Sequence, residues 1–522
     1  MKTRFALPVI LAAFSTSAFS ADLHNLFTDG AVLQQGMAVP IWGEAKDGEK
    51  VTVELQGQIT STTAKNGQWM VRLKPLLFGG PFDLKVTGDT PLVRKVWVGE
   101  VWIASGQSNM QWELQQTTNG PSDVSKANIP EIHLFQTPLI SRGVPEKNVN
   151  SKWTECNPST AARFSAVAFY FGRDLLKTLK VPIGLIQTAW GGTPAQAWAT
   201  RESLLANADL AHYIIDIEAN IKSYPQRVEK YNTLLTDYNK AKAAGTAVGE
   251  APKPPADMRE SSWRPSGLYN GMIAPLVPYA FRGAIWYQGE SNASDAYEYR
   301  TLFPEMIKSW RGSWKQGKFP FYFVQLAPFR SIAVEPQDSN WAELREAQLM
   351  TATTLANTGM AVITDYGNPV NIHPTDKDPV GARLALLALD KTYGRKVISS
   401  GPTYKSMSVK GNSVIIKFDN TNGGLMSRKV VLPGTPDNLK ENKTDAFLTG
   451  WTIAGDDRKF VNAEAMIDGK TIVVSSPDVA KPAAVRYGWS DCPIVNLFNA
   501  VGLPASPFRT DSWRITTEPK KP

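Results

Sequence analysis

The sequence predicts an α/β fold built on a parallel sheet and flanked on both sides by β-rich regions. From Val96 onward, continuous apolar runs are followed by Gly-rich turns and helical stretches, the pattern of strands buried on both faces and joined by crossover helices. Before Val96 and again from about Ser399, short runs alternate apolar and polar residues between turn clusters, which is the period of half-buried strands. A chain of 522 residues also exceeds what one core sustains, since single cores stop growing near roughly 250–300 residues.

Residues 1–20 carry Lys2 and Arg4, an apolar stretch from Phe5 to Phe14, and the small-x-small site Ala18-Phe19-Ser20. They read as a signal peptide cut after Ser20. The apolar run falls short of the ~20 residues a bilayer crossing needs, so the mature chain is expected in the periplasm or secreted, with no membrane anchor. Residues 21–95 form a β domain, with Val51-Thr52-Val53-Glu54-Leu55 alternating between Lys46-Asp47-Gly48 and Asn66-Gly67. Residues 96–398 hold the α/β unit, with strands expected at Val98–Ala104, Val181–Gln187, Arg282–Gln288, Phe319–Leu326 and Gly359–Asp365. Helices are expected at Tyr297–Trp310, Trp341–Thr354 and Val380–Lys391. Inside this unit, 201–264 is rich in Lys, Glu, Asn and Ala at helical spacing and leaves through Ala251-Pro252-Lys253-Pro254-Pro255, which marks a helical insertion. Residues 399–522 return to alternation, as in Ser413-Val414-Ile415-Ile416-Lys417-Phe418 and Thr471-Ile472-Val473-Val474.

Composition narrows the chemistry. The formal charge is +8, and two of the positive charges lie in the leader. Lysines and arginines are otherwise scattered among acids, so nucleic acid is not an expected partner. Cys156 and Cys492 are the only cysteines and either pair or stay as two buried thiols. With two cysteines and the four histidines His24, His133, His212 and His373 in no close spacing, a zinc site has little material, and no cofactor is expected.

In an open parallel sheet, ligands bind beyond the carboxyl ends of the strands, and four such ends carry reactive groups. After the first expected strand comes Gly106-Gln107-Ser108-Asn109-Met110, a serine in a tight turn entering a helix; alone, it reads equally well as a helix cap. After the second comes Trp190-Gly191-Gly192-Thr193, whose glycines let backbone N–H groups approach a substrate oxygen. Gln288-Gly289-Glu290-Ser291-Asn292 follows the third and offers two side-chain amides. Asp365-Tyr366-Gly367 and then His373-Pro374 follow the fifth and supply an acid and a histidine.

These blocks, with Tyr269-Asn270-Gly271-Met272 and Pro507-Phe508-Arg509-Thr510-Asp511, resemble the sialate O-acetylesterase branch of the SGNH hydrolases over almost the whole mature chain. The resemblance implies a flavodoxin-like three-layer α/β/α domain with β-sandwich-like accessory domains, no metal, and release of acetate from O-acetylated sugars. By position, Ser108 is the nucleophile and His373 the general base. The oxyanion donors are the N–H of Ser108, the N–H of Gly192 (or Gly191) and the amide of Gln288, with Asn292 as the alternative. Many SGNH enzymes place an aspartate three residues before the histidine, where this chain has Val370. Asp365 is the expected orienting acid, with Asp376 or a backbone carbonyl behind a Ser-His dyad as the alternatives. Of the sixteen tryptophans, Trp112, Trp190 and Trp263 are the expected cleft residues, since pyranose faces stack on aromatic rings. The expected activity is a carbohydrate O-acetylesterase acting on acetylated sialic acid or on an acetylated plant polysaccharide such as xyloglucan or xylan. A broad esterase or lipase-like hydrolase and a non-catalytic carbohydrate-binding protein are the competing readings.

Overall fold

The computed structural model describes residues 21–246, 249–435 and 447–520; the expected leader lies outside them. Along the chain the elements that build the centre are β1 (Pro91–Gly106), α1 (Ser108–Gln111), β2 (Ile129–Gln136), β3 (Thr154–Cys156), α2 (Ala166–Leu179), β4 (Ile183–Ala189), α3 (Ala211–Ala243), β5 (Gly283–Tyr287), α4 (Ala296–Trp314), β6 (Phe321–Val324), α5 (Asn340–Thr354), β7 (Thr358–Ala361) and α6 (Asp378–Lys391). The sheet order is β3-β2-β4-β1-β5-β6-β7. Every neighbouring pair is parallel except β3, which runs antiparallel to β2. All five expected strands are present. β2 and β3 were not anticipated, because Pro130, Glu131 and His133 interrupt the apolar run of β2 and β3 is only three residues long.

Helices cover both faces, and the side chains of successive strand residues divide between them as the pleat requires. Trp102, Ala104, Leu185, Ile285 and Tyr322 share an apolar cluster with α2 and α6. Val101, Ile103, Ile186, Trp286 and Phe323 share another with α4 and α5. Caps fix where the helices begin: the hydroxyls of Ser165 and Ser339 accept from the N–H groups of Ala168 and Ala342.

One continuous strand crosses the expected boundary at 95/96. The first half of β1 pairs with Gly79–Thr87 and with Val32–Gln34, and its second half is the middle of the central sheet. A buried clasp sits at the junction, where the Glu100 carboxylate accepts from Arg282, Gln34, Gln35 and Tyr393. Toward the C-terminus two four-stranded antiparallel sheets share an apolar cluster that includes Val414, Ile416, Trp451, Val474 and Tyr487. The guanidinium of Arg345 on α5 is buried and ties this region to the central unit by donating to the carbonyls of Ser490 and Asp491.

α3 has only Ile214 and Ile217 buried, and its remaining residues are half-buried or exposed. Cys156 and Cys492 are both unpaired and lie in separate apolar clusters, so of the two options the free thiols are what the fold contains. Among the described residues no helix is long and apolar enough to cross a membrane, and no group of three or more His, Cys, Asp or Glu could hold a metal ion.

Candidate active site

Three central strands stop at one level. Ala189 of β4 and Tyr287 of β5 both pair with Gly106 of β1, so their loops open at the same edge of the sheet. Gly106 has φ +135°, and a Cβ there would lie 2.2 Å from the carbonyl oxygen of Tyr287. Only glycine permits both the dihedral and the approach, and two residues later the chain starts α1 with Ser108 as its first residue. Gln107, not Ser108, occupies the cap position. The Ser108 hydroxyl is therefore free of capping; it is half-exposed and lies 2.8 Å from Nε2 of His373.

α1 is a single turn and carries little macrodipole. What it offers is an unused N–H: the backbone N–H groups of Ser108 and Gly192 donate to no protein acceptor among the described residues. The two glycines differ in this respect. Gly191 lies against the serine, with a hypothetical Cβ 3.2 Å from Ser108 Cβ, and its N–H is already taken by Oε1 of Gln111 at 2.7 Å. Gly192, at φ +72°, faces open space.

The amides of the third block are turned to another task. Gln288 is buried and donates to the carbonyl of Thr193 at 3.2 Å and to Oδ1 of Asn292 at 2.7 Å, while its own oxygen accepts from Tyr299. Asn292 accepts from the N–H of Ala195 and donates to Gln196. Their bonds thus hold the 191–196 loop, and none of them points at Ser108.

The loop carrying His373 is wound by two asparagines. Oδ1 of Asn368 accepts from the N–H groups of Val370 and Asn371, and Oδ1 of Asn371 accepts from the N–H of His373. Trp112 stacks on the imidazole at 4.9 Å and 22°. Burial, and then the Lys377 ammonium, hold the imidazole below its ordinary pKa.

Among the described residues no carboxylate hydrogen-bonds to this histidine, which corrects the expectation for Asp365. β7 ends at Ala361, and Asp365 lies in the turn that follows. Both its oxygens are gripped by Arg383 of α6 at 2.6 Å, and the same guanidinium donates to the carbonyl of Val362. A planar guanidinium satisfies a carboxylate in this bidentate way, and Asp365 makes no hydrogen bond to His373. Asp376 makes none either, and burial together with Asp378 and Asp365 pushes its carboxyl above the usual range. Val370, at the position where many SGNH enzymes have their acid, is 87% exposed.

The expected tryptophans divide. Trp112 is at the site, Trp190 is half-buried with its carbonyl accepting from Thr193, and Trp263 is exposed with no ring contact to the Ser108–His373 pair.

Two buried residues, Asn109 and Lys377, and the half-buried Glu290, to which the sequence assigned no role, form a network next to the pair. Asn109 donates to the carbonyl of Ile372 at 3.0 Å and to Oε1 of Glu290 at 2.6 Å, and its oxygen accepts from Nζ of Lys377. Burial pulls the Lys377 ammonium down to about 7 and pushes the Glu290 carboxyl up. The alternation Gln107-Ser108-Asn109-Met110-Gln111 holds a usable signal, three amides at alternate positions beside a candidate nucleophile. Lys377 has none, since Asp376-Lys377-Asp378 reads as a solvated charged run.

The model for carbohydrate esterases described as sialic acid-specific acetylesterases matches residues 98–235 and 255–385, ranges that include Ser108, Glu290, His373 and Lys377. Sialate O-acetylesterase of Homo sapiens is 31% identical over 437 residues, 76% of this chain and 76% of that protein. Its counterpart in Mus musculus is 31% identical over 452 residues, covering 78% and 81%. Among solved structures, a carbohydrate acetylesterase from Xanthomonas citri superimposes with a TM-score of 0.78 at 36% identity, over 94% of this chain and 100% of that one.

Proposed function

Since this chain belongs to the carbohydrate esterase family of sialic acid-specific acetylesterases, we propose that it hydrolyses acetyl esters on sugars with Ser108 as nucleophile and His373 as its base. The observation that carries the reading is the 2.8 Å approach of His373 Nε2 to a half-exposed Ser108 hydroxyl at the meeting point of three strand ends.

The steps follow from the groups in place. Ser108 Oγ attacks the acetyl carbonyl carbon as its proton passes to Nε2. The N–H groups of Ser108 and Gly192 receive the oxyanion. Collapse breaks the bond to the sugar oxygen, which takes the proton back from Nε2, and water then repeats the sequence on the acetyl-serine. For Nε2 to accept, Nδ1 must carry the ring proton. We assign the site as a Ser-His dyad, with Asp365 bracing the loop through Arg383 and with Gln288 and Asn292 bracing the 191–196 loop. Trp112 holds the imidazole by its face, leaving exposed Trp263 and half-buried Trp190 as the rings a sugar would stack on.

The central sheet with helices on both faces supports the flavodoxin-like SGNH three-layer reading for residues 96–398, with 21–95 and 399–522 as accessory β regions. The leader features of residues 1–20 support a periplasmic or secreted enzyme. The relatives are named for sialate and, more broadly, for carbohydrate acetyl esters, so the substrate class proposed is an O-acetylated sugar, free or within a glycan.

Acetate release from acetylated sialic acid, xylan and xyloglucan, with Ser108→Ala as control, tests this. Release by the parent and none by the variant is expected. Activity surviving in Ser108→Ala, or nitrophenyl octanoate strongly preferred over nitrophenyl acetate, overturns it.

A further inference from the structure

We propose that Lys377 is a positioning residue for this reaction: its buried ammonium, bound to Asn109 and balanced by Glu290, holds the His373 loop against Ser108 and sets the charge that the imidazole feels. The inference rests on the assignment of Ser108 and His373 above and concerns how a histidine with no carboxylate behind it is oriented and tuned.

The orientation comes from one amide. Asn109 directly follows the nucleophile, and its side chain holds the loop of the base at two places, the carbonyl of Ile372 just before His373 and the ammonium of Lys377 four residues after it. The same amide reaches Oε1 of Glu290 in the loop after β5. The strand ends of β1, β5 and β7 are therefore joined by a single side chain, and Trp112 clamps the imidazole by its face.

The charges are few and their places are clear. Lys377 is 1% exposed, and its Nζ lies 5.3 Å from the ring centre of Tyr287 and 5.9 Å from that of Trp112, distances at which aromatic faces attract a cation. Glu290 faces it from the loop after β5, and Asp376 from its own loop. Oε2 of Glu290 is buried with no hydrogen-bond partner, so that carboxylate answers the ammonium through space and through Asn109. At His373, Lys377 is the charged group whose field is felt among the described residues.

A positive charge beside the imidazole has a chemical use when the leaving group is a sugar hydroxyl. An alkoxide is a poor leaving group, and collapse of the tetrahedral intermediate needs Nε2–H to hand over its proton. An imidazolium made more acidic by Lys377 is the better donor for that step. A nitrophenolate leaves without such help.

The test compares Lys377→Met, which removes the charge and the bond to Asn109, with Lys377→Gln, which keeps a donor and removes the charge. For each folded variant, kcat/KM is followed against pH on an acetylated sugar and on nitrophenyl acetate, with Ser108→Ala in parallel. Expected is an acidic limb moved to higher pH by roughly half a unit or more, together with a loss on the acetylated sugar that exceeds the loss on nitrophenyl acetate by about tenfold. An unmoved limb with equal losses on both esters overturns the inference. So does failure of both variants to fold, which would make the network a folding element. If Ser108→Ala stays active, the parent reading falls; if it is inert while the Lys377 variants behave as the parent, only this inference falls.

Discussion

Replacing Asp365 by asparagine is expected to weaken the fold while leaving turnover nearly intact, and the two effects are separable by size. Asp365 and Arg383 face each other through two 2.6 Å contacts with side chains only 10% exposed. Removing one partner of a buried pair costs about 3–5 kcal/mol. Asparagine keeps one acceptor for the guanidinium, so about 2–3 kcal/mol is the expected loss here. For a chain of this length, unfolding entropy near 1 kcal/mol/K makes that about 2–3 °C in Tm if the chain unfolds as one unit. Were Asp365 the acid orienting His373, its amide would instead cost about 10⁴ in kcat, or about 5.5 kcal/mol of transition-state stabilisation. Calorimetry together with kcat on nitrophenyl acetate distinguishes the cases. A Tm drop with kcat within roughly tenfold of the parent is expected, and the double variant Asp365→Asn/Arg383→Met should recover part of the stability, because no charge is then left unpaired. A fall of three or four orders of magnitude in kcat at unchanged Tm would refute the reasoning.

Gly191→Ala should cost at least about a hundredfold in kcat, because its Cβ would stand 3.2 Å from that of Ser108 and 3.3 Å from Oε1 of Gln111; steady-state kinetics with an unchanged circular dichroism spectrum checks it, and near-normal turnover would sink it. Gln288→Ala should lower Tm and kcat together, since it removes the braces to Thr193 and Asn292 and leaves the Tyr299 hydroxyl without its acceptor; a pure kcat loss at parental Tm would restore Gln288 as a direct oxyanion donor. His24 gives a pH prediction. Its Nε2 donates to the carbonyl of Lys147, its Nδ1 accepts from the N–H of Leu26, and burial holds it neutral down to about 4. A folded pKa below the unfolded value of 6.5 means that the stability is complete above about 6.5 and is lost as pH falls toward 4, up to about 3 kcal/mol. His24→Gln should therefore flatten the fall in urea midpoint between pH 7 and 5, and an unchanged slope refutes the assignment.

The parts of the fold that were legible are those in which one strand carries its own evidence. The central strands announced themselves because burial on both faces demands uninterrupted apolar runs, as in Ile183–Ala189 and Phe321–Val324. β2 lies next to the edge, paired on its outer side only by the three residues of β3, and it admits Pro130, Glu131 and His133. The bringing together of Ser108 and His373 was legible because Ser108 lies just past the end of β1 and His373 in the loop that follows β7, both on the carboxyl-end edge of the parallel sheet. The hydrogen-bond partners of those residues were not legible. Whether Asp365 turns to His373 or to Arg383 depends on where α6 passes, and whether Gln288 points at a substrate or at Thr193 depends on the path of the 191–196 loop. Neither is encoded within the segment that holds the residue.

The choice of partners at this edge has a common physical logic. Gln107, Asn109, Gln111, Gln288 and Asn292 supply bonds that join the loops, and Asn368 and Asn371 wind the His373 loop, all with donors and acceptors that never titrate. A frame of neutral amides leaves the imidazole as the group that changes protonation during turnover, with the field around it decided by the few charges that remain. The Asp365–Arg383 pair is closed on itself by bidentate bonding and contributes little net field at a distance. Lys377 and Glu290 are joined through Asn109 rather than by a direct ion pair among the described residues. A buried ammonium is costly wherever it sits, and its position beside the base, rather than at the surface where lysines ordinarily lie, is the feature that a purely structural account of this network leaves unexplained.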